Sequence, residues 1–213
     1  MKAYKAILYD LDGTLINTMD MNLYPLMRIL EEELGQIWAF EDLIPYFTKP
    51  GTKVLEELGI RDIDTVYARW VRYVNEYKPG AIPYEGIRET LDAFRKNGIK
   101  QGAVSAKLRP QYQIDVVANG LDVYLDTAVL AEDTQLHKPH PDPILKALKR
   151  MALQPEEVLY VGDARSDLEA ARNAGCDFGF AAWGAAIKIG REEPDYWFES
   201  PGQILDLLPE NEA

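Results

Sequence analysis

The feature that most constrains the fold of this chain is an alternation of short apolar runs with longer amphipathic stretches. The apolar runs, which predict strands, lie at residues 6–9, 99–104, 128–130, 158–161 and 178–181. The amphipathic stretches, which predict helices, lie at residues 86–97, 109–119, 142–151 and 166–174. Strands that alternate with helices usually pair in parallel. The pattern therefore predicts an α/β fold with a doubly wound, largely parallel sheet.

One region of the chain interrupts this alternation. Residues 18–80 show helical periodicity without a convincing strand, and the clearest helix is predicted over 62–78. We expect residues 1–17 and 81–213 to form the α/β core, with an all-helical domain inserted at 18–80. The last residues, Pro209 to Ala213, are expected to be a frayed tail.

The charge of the chain excludes several classes of partner. It has 23 Lys and Arg residues against 35 Asp and Glu residues, a formal net charge of -12. Such a field repels nucleic acids and anionic membrane surfaces, so neither is expected as a partner.

No signal peptide or membrane-length apolar stretch is evident. The single cysteine, Cys176, excludes an intrachain disulfide and favours a reducing cytoplasm. We expect a cytoplasmic monomer or homodimer.

Polar residues stand directly after three of the predicted strands. Asp10 and Asp12 follow the first, Ser105 follows the second, and Asp163 follows the fourth. Each alone is adequately explained as the end of a strand or the cap of the next helix. The carboxyl ends of parallel strands, however, lie at one edge of the sheet, where ligands bind. The set therefore predicts a functional site at this edge.

The predicted cluster favours phosphoryl transfer assisted by a metal ion. Carboxylates that lie close together repel one another unless a cation lies among them. Mg²⁺ prefers carboxylates, waters and phosphate oxygens as ligands. An aspartate can also attack phosphorus to give an aspartyl phosphate. Lys138 lies in a proline-rich loop at 136–143 that would hold its ammonium group in place. A cation, a lysine and N–H groups would neutralise the charge of the phosphoryl group.

These residues resemble a known set of motifs. The four ordered motifs of the haloacid dehalogenase superfamily are similar to Asp10-Leu11-Asp12-Gly13-Thr14, Ser105, Lys138-Pro139 and the segment from Gly162 to Asp167. The insertion resembles the helical cap domain of that superfamily. Residues 10–18 and 183–195 are similar to phosphoglycolate phosphatases and related pyrophosphatases. The resemblance implies a Rossmann-like core with a helical cap.

The resemblance also implies roles for the acidic residues and for the lysine. Asp10 would be the nucleophile and a Mg²⁺ ligand. Asp12 would act as general acid and then as general base, and its backbone carbonyl would bind the metal. Asp163 would complete the protein ligands of the metal, and Asp167 would support them from behind. A carboxylate such as Asp167 in the first turn of a helix is equally explained by the helix dipole. Lys138 would neutralise the phosphoryl group and orient Asp10.

A phosphate-binding loop is implied around the second motif. Ser105 would bind the transferring phosphoryl group with help from nearby backbone N–H groups. Ala106 and Lys107 complete this candidate loop, although Ala106 departs from the asparagine often found there in the superfamily. Thr14 would support the nucleophile loop from the first motif.

Two lysines in the helical insertion are further candidates for substrate binding. Lys49 and Lys53 lie in a predicted loop at 49–53 and could contact an anionic leaving group. Ordinary surface lysines explain the same pattern, and both interpretations stay open. A mobile helical cap over the cleft would exclude water and select the leaving group.

The predicted function is the Mg²⁺-dependent hydrolysis of a small phosphorylated metabolite, with a phosphoglycolate-like compound as the leading candidate. Asp12 supports phosphate-ester chemistry, because displacement of halide from carbon requires no acid for the leaving group. A phosphomutase and a pyrophosphatase are the alternatives within the superfamily. A catalytically idle binding or regulatory protein on the same fold is the alternative outside enzymes. The retained Asp10, Asp12, Lys138 and Asp163 speak against that last possibility.

Overall fold

The computed structural model describes residues 2–47, 49 and 51–208 of the chain. The chain divides into two compact units. The first unit combines Met1–Asn17 with Pro83–Ala213, and the second is the intervening Thr18–Ile82. The tail predicted at 209–213 lies outside the described residues.

The five strands that the alternating pattern predicts are all present in the described chain, with helices between them, and three further strands of two or three residues were not predicted. The strands are β1 (Ala6–Tyr9), β2 (Ile16–Asn17), β3 (Ile82–Pro83), β4 (Lys100–Val104), β5 (Thr127–Val129), β6 (Val158–Gly162), β7 (Asp177–Ala181) and β8 (Tyr196–Phe198). The helices are α1 (Met19–Leu34), α2 (Phe40–Leu43), α3 (Gly51–Glu57), α4 (Ile63–Asn75), α5 (Ile87–Lys96), α6 (Arg109–Tyr112), α7 (Asp142–Met151) and α8 (Arg165–Ala174).

The first unit contains a parallel sheet whose strand order is β5-β4-β1-β6-β7-β8. Strand β1 lies inside this sheet, and its last residue, Tyr9, is opposite Ala103 on β4 and Val161 on β6. From β1 the chain builds outward to β5 on one side and then to β8 on the other. The order reverses beside β1, which is where a sheet of this type opens a crevice for ligands.

Helices cover both faces of the sheet. On one face, Leu8 and Tyr160 belong to a buried core that includes Ile144 of α7 and Leu168 of α8. On the other face, the Gln101 side chain of β4 accepts a hydrogen bond from the Tyr9 hydroxyl and donates one to a backbone carbonyl of α5. All four residues of β1 are buried, as expected for a strand covered on both sides. The doubly wound α/β prediction is confirmed.

Some element boundaries differ from those that the pattern predicts. The helix predicted at 109–119 consists of the short α6 and a π-helical turn at Gln113–Val117. Strand β8 was absent from the prediction, because three aromatic residues are too short a run to show a period.

No helix in the part of the chain that the structure describes is both long and apolar enough to cross a membrane.

The second unit packs helices α1 to α4 around an apolar core of its own. Leu26, Ile29, Leu55, Val66 and Trp70 are among the buried residues of this core. The helix predicted at 62–78 is α4, which begins and ends inside that range. Its buried stripe is narrower than the sequence period suggests, because Tyr67 and Val71 on the same face are more than a third exposed.

The prediction of a loop at 49–53 is wrong for residues 51–53. Gly51, Thr52 and Lys53 form the first turn of α3. The helix also carries Val54 and Leu55, and both are buried in the core of the helical unit. Packing of this adjacent pair in the core stabilises the short helix that begins at Gly51.

Candidate active site

The loop after β1 places Asp10 and Thr14 at the carboxyl edge of the sheet. The Asp10 backbone N–H donates to the carbonyl of Val161 at 2.8 Å, which extends the pairing of β1 with β6. Gly13 has a φ of 79°, and a Cβ atom at this position would lie 2.3 Å from an oxygen of Asp163. Glycine is therefore required here, both for the turn and for the close approach of the two loops.

The loop after β6 supplies two further carboxylates. Asp163 is buried and accepts a hydrogen bond from the Thr14 hydroxyl at 3.1 Å. Asp167, in the first turn of α8, is fully buried and accepts from the Ala164 backbone N–H at 3.0 Å. A Cβ atom on Gly162 would lie 2.5 Å from the Asp167 carboxyl carbon, so the preceding glycine makes room for this side chain.

The predicted carboxylates converge, with one exception. Asp10, Asp163 and Asp167 each offer an oxygen atom, and these atoms lie within 4.8 Å of one another. The Asp12 side chain does not belong to this cluster. It is 32% exposed and forms an ion pair with Lys107 instead. The predicted use of the Asp12 backbone carbonyl as a metal ligand remains a prediction.

Lys138 contributes a positive charge to the same cluster. Its Nζ lies 2.6 Å from Asp167 Oδ1 and 2.9 Å from Asp10 Oδ1, and it donates to the Tyr160 hydroxyl at 3.1 Å. The contact with Asp10 Oδ1 lacks the alignment of a hydrogen bond, so this buried oxygen has no hydrogen-bond donor among the described residues. Lys138 therefore links the nucleophile candidate to the first turn of α8.

Tyr160 is a site residue that the sequence analysis missed. Its hydroxyl is buried and donates either to the backbone carbonyl of Val104 at 3.2 Å or to Asp167 Oδ1 at 3.1 Å. The residue lies inside β6, where an apolar side chain is expected. The available signal was the hydroxyl itself, because a tyrosine buried in a central strand requires a polar partner.

Crowding perturbs the acidity of the carboxylates. Burial raises the pKa of Asp10 to about 7; Lys138 opposes this rise, whereas Asp167 and Asp12 add to it. Burial also raises the pKa of Asp163 well above its usual range, and the neighbouring Asp167 and Asp10 act in the same direction. Burial alone would lower the pKa of Lys138, but Asp10 and Asp167 reverse this and hold it well above its usual range.

These perturbations fit a site for a divalent cation. The cluster of Asp10, Asp163 and Asp167 brings three carboxylates together against the single ammonium group of Lys138. Oxygen ligands at this spacing, with one buried carboxylate oxygen unaligned to any donor, match the preference of Mg²⁺. A cation there would offset the repulsion that raises the pKa values of Asp10 and Asp163.

The second motif follows β4, the neighbour of β1. Ser105 is buried, and its hydroxyl oxygen accepts from the Lys107 backbone N–H at 3.2 Å. Ala106 is exposed. The Lys107 side chain is only 7% exposed, and its Nζ lies 3.1 Å from Asp12 Oδ1 and 2.5 Å from Asp115 Oδ2. The structure thus brings Lys107 to two carboxylates, and its predicted contact with phosphate remains a prediction.

The two candidate lysines of the helical unit are ion-paired within that unit. Lys49 pairs with Glu57 and lies over the ring of Tyr46. Lys53 pairs with Glu56 at 3.2 Å, one turn further along α3. All four charged side chains are more than a third exposed, so these pairs contribute little to stability. The predicted contact of these lysines with a leaving group stays a prediction.

Comparison with known proteins identifies relatives of the whole chain. The family model of the haloacid dehalogenase-like hydrolases matches residues 7–181. The pyrophosphatase PpaX of Bacillus velezensis is 30% identical over 209 residues, which cover 97% of this chain and 97% of that protein.

Solved structures agree with this result. A HAD-superfamily hydrolase of subfamily IA, variant 1, from Geobacter sulfurreducens is 28% identical, covers 98% of each chain and superposes with a TM-score of 0.76. A "predicted phosphoglycolate phosphatase" from Haemophilus somnus has the same fold, with a TM-score of 0.83 at 24% identity over 96% of this chain and 97% of that one. The chain belongs to the haloacid dehalogenase-like hydrolase family.

Proposed function

We propose that this chain is a Mg²⁺-dependent phosphatase that hydrolyses a small phosphorylated metabolite through an aspartyl phosphate on Asp10. One observation carries the proposal. A buried carboxylate, Asp10, lies at the end of the central strand β1, next to a fixed ammonium group and to two further carboxylates. Attack by an aspartate on phosphorus requires this combination of nucleophile and neutralising charge.

The proposed reaction has two displacements at phosphorus. An Asp10 oxygen forms a bond to phosphorus as the ester P–O bond breaks, and Asp12 gives a proton to the leaving oxygen. Asp12 then takes a proton from a water molecule, whose oxygen attacks phosphorus and releases Asp10. Lys138 holds Asp10 in place and balances negative charge throughout. Inorganic phosphate and the free alcohol are the products, and both aspartates return to their starting states.

The residues that would hold Mg²⁺ are the side chains of Asp10 and Asp163 and the backbone carbonyl of Asp12. Asp167 would support these ligands and would also fix Lys138, to which it lies 2.6 Å away. When bound, the cation supplies neutralisation of the phosphoryl oxygens and of the crowded carboxylates. The same cluster explains the direction of the pKa shifts at Asp10 and Asp163.

The phosphoryl group would be bound by the second motif. The Ser105 hydroxyl and the backbone N–H of Ala106 are the groups proposed to contact it, and Thr14 supports the nucleophile loop through its bond to Asp163. Lys107 is retained as a candidate for substrate binding. The helical unit at 18–80 is proposed to be a cap that selects the leaving group.

A phosphoglycolate-like monoester is the leading substrate candidate, and pyrophosphate is the second. The second candidate is favoured by the 30% identity to a protein named as a pyrophosphatase. Both are small anions that carry another negative group beside the transferred phosphoryl group. A phosphomutase would instead return the phosphoryl group to a sugar hydroxyl.

The proposal is tested by phosphate release from a panel of substrates. Purified protein is treated with chelator, dialysed, and assayed with and without Mg²⁺ on phosphoglycolate, pyrophosphate, sugar phosphates and p-nitrophenyl phosphate. We expect phosphate release only with Mg²⁺ and a dominant kcat/KM for phosphoglycolate or pyrophosphate. Full activity in excess chelator would contradict the metal assignment. Sugar-phosphate isomerisation without phosphate release would identify a mutase.

A further inference from the structure

Three charged groups, two of them buried, connect the proposed general acid to a residue on a π-helical turn. Lys107 Nζ lies between the carboxylates of Asp12 and Asp115, at 3.1 and 2.5 Å. The side chains of Lys107 and Asp115 are 7% and 6% exposed, whereas that of Asp12 is 32% exposed. Asp12 therefore receives less support from packing than the other two groups. The orientation of its side chain depends more strongly on the ion pair with Lys107.

The backbone around Lys107 is anchored at both ends of the residue. Its N–H donates to the Ser105 hydroxyl oxygen at 3.2 Å, and its carbonyl accepts from the Ala131 N–H at 3.1 Å. The four-carbon stem of a lysine is nevertheless flexible. A fixed backbone alone leaves the ammonium group free to turn, so its position depends on its carboxylate partners.

Asp115 is placed by an uncommon local structure. It lies in the π-helical turn Gln113–Val117, which the Ala118 N–H closes onto the Gln113 carbonyl at 3.1 Å. The side-chain amide of Asn119 donates a hydrogen bond to the backbone carbonyl of Asp115 at 2.8 Å. Turns of this type are rare and are often found at functional sites. Here the turn carries a carboxylate that is buried against an ammonium group.

We propose that Asp115 is a positioning residue, which holds the Lys107 ammonium close to Asp12 and thereby fixes the orientation of the Asp12 carboxyl group, which gives its proton to the leaving oxygen and then takes a proton from the attacking water. This role rests on the proposed function of Asp12. Asp115 itself touches neither the substrate nor the reacting atoms. It acts through Lys107, whose charge it shares with Asp12.

The role makes a specific kinetic prediction that depends on the leaving group. An alkoxide leaves slowly without a proton, whereas p-nitrophenolate requires little help. A general acid contributes about 10²–10⁴-fold, and misplacing a catalytic group by about 1 Å can cost roughly 10²-fold. We therefore expect Asp115→Ala to lower kcat by about 10²-fold on an alkyl phosphate and by less than about 10-fold on p-nitrophenyl phosphate, with KM little changed.

A double-mutant cycle separates positioning from direct phosphate binding by Lys107. Asp115→Ala and Lys107→Ala are each made in the wild-type chain and in Asp12→Asn, and kcat and KM are measured on both substrates. If Asp115 and Lys107 act through Asp12, neither substitution lowers kcat further in the Asp12→Asn chain. If Lys107 binds the phosphoryl group, its loss raises KM and weakens inhibition by inorganic phosphate in both backgrounds.

Two variants control for damage to the fold. Asp115→Asn keeps the size of the side chain but removes its charge, and we expect it to show the same dependence on the leaving group. Asp122→Ala removes a carboxylate of the same region that pairs with neither Lys107 nor Asp12 in the contacts of the described residues, and it should leave kcat unchanged.

The outcomes are distinguishable. Turnover by the wild-type chain with equal losses on the two substrates, or with losses that persist in Asp12→Asn, would overturn the role of Asp115 alone. Absence of turnover by the wild-type chain on every phosphate ester and on pyrophosphate would overturn the proposed function, and the role of Asp115 with it.

Discussion

At the scale of single residues, the site is defined by an excess of buried negative charge. Asp10, Asp163 and Asp167 approach one another, and Lys138 balances only part of their charge. Because burial and its neighbours raise the pKa of Asp163 in the fold, its ionised form opposes folding at neutral pH. The cost decreases as the pH falls and the group binds a proton, or when a cation is bound.

We predict that Asp163→Asn stabilises the metal-free protein at neutral pH. Removing the charge removes a repulsion, and an asparagine oxygen can still accept the Thr14 hydrogen bond. An effect of about 1 kcal/mol would raise Tm by roughly 2–4 °C for a chain of this length. Thermal denaturation with and without Mg²⁺ checks this, and the variant should also lose the stabilisation by Mg²⁺ that we expect in the wild type. An exposed carboxylate, Asp206, provides the control variant Asp206→Asn. A lower Tm for metal-free Asp163→Asn would contradict this account of the charge balance.

The residues that were predictable from sequence are those whose position in the chain has a fixed meaning. Asp10 and Asp163 each follow a buried strand, so the sheet alone brings them to one edge. Tyr160 and Asp115 carry no such mark. The first lies within a strand, and the second lies on a predicted helix, where an exposed charge is the ordinary expectation. Their roles depend on which side chains the fold brings next to them, which a single sequence does not encode locally.

At the scale of elements, the segment after β7 supports the nucleophile loop. The Trp183 indole N–H donates to the Thr14 carbonyl at 3.0 Å. A Cβ atom on Gly184 would lie 2.0 Å from the Gly13 carbonyl oxygen and 2.7 Å from the Tyr84 hydroxyl. Residues 183–195 were predictable by resemblance alone, because packing of one backbone on another leaves no periodic signal.

We predict that Gly184→Ala destabilises the protein and lowers kcat. The added methyl group meets backbone at Gly13, which cannot move without displacing Asp10 and Thr14. Overpacking of this kind costs about 1–3 kcal/mol. The matched control is Gly202→Ala, because a Cβ atom there meets nothing within 4 Å. Urea denaturation and kcat on p-nitrophenyl phosphate check the pair. Equal stability and activity of the two variants would show that the contact with the nucleophile loop is unimportant.

At the scale of the whole molecule, an acidic chain is proposed to bind an anionic substrate. The net charge of -12 repels a phosphorylated metabolite, so the attraction has to come from a few local groups. The alternating pattern was sufficient to predict the parallel sheet. It could not show that Lys49 and Lys53 each pair with a glutamate of α3, because such pairs depend on rotamers and on the start of that helix.

A test of selectivity follows for these two lysines. If either contacts a second anionic group of the substrate, its replacement by alanine should lower kcat/KM for phosphoglycolate or pyrophosphate selectively. Losing a charge-assisted hydrogen bond costs about 1.5–3 kcal/mol, or roughly 10- to 150-fold in kcat/KM. The comparison substrate is p-nitrophenyl phosphate, which has no second anion, and the control variant is Arg61→Ala, an exposed cation of the same unit. Proportional losses on both substrates, or no loss in either variant, would assign selectivity to other residues.

The central claim is the covalent intermediate on Asp10, and the stereochemical course at phosphorus tests it most directly. An isotopically chiral phosphorothioate ester is hydrolysed by the protein in labelled water, and the configuration of the product is determined. Transfer to Asp10 and then to water comprises two in-line displacements, each of which inverts phosphorus. The account predicts net retention of configuration. Net inversion would show that water attacks the substrate directly, and it would contradict the role of Asp10 as nucleophile.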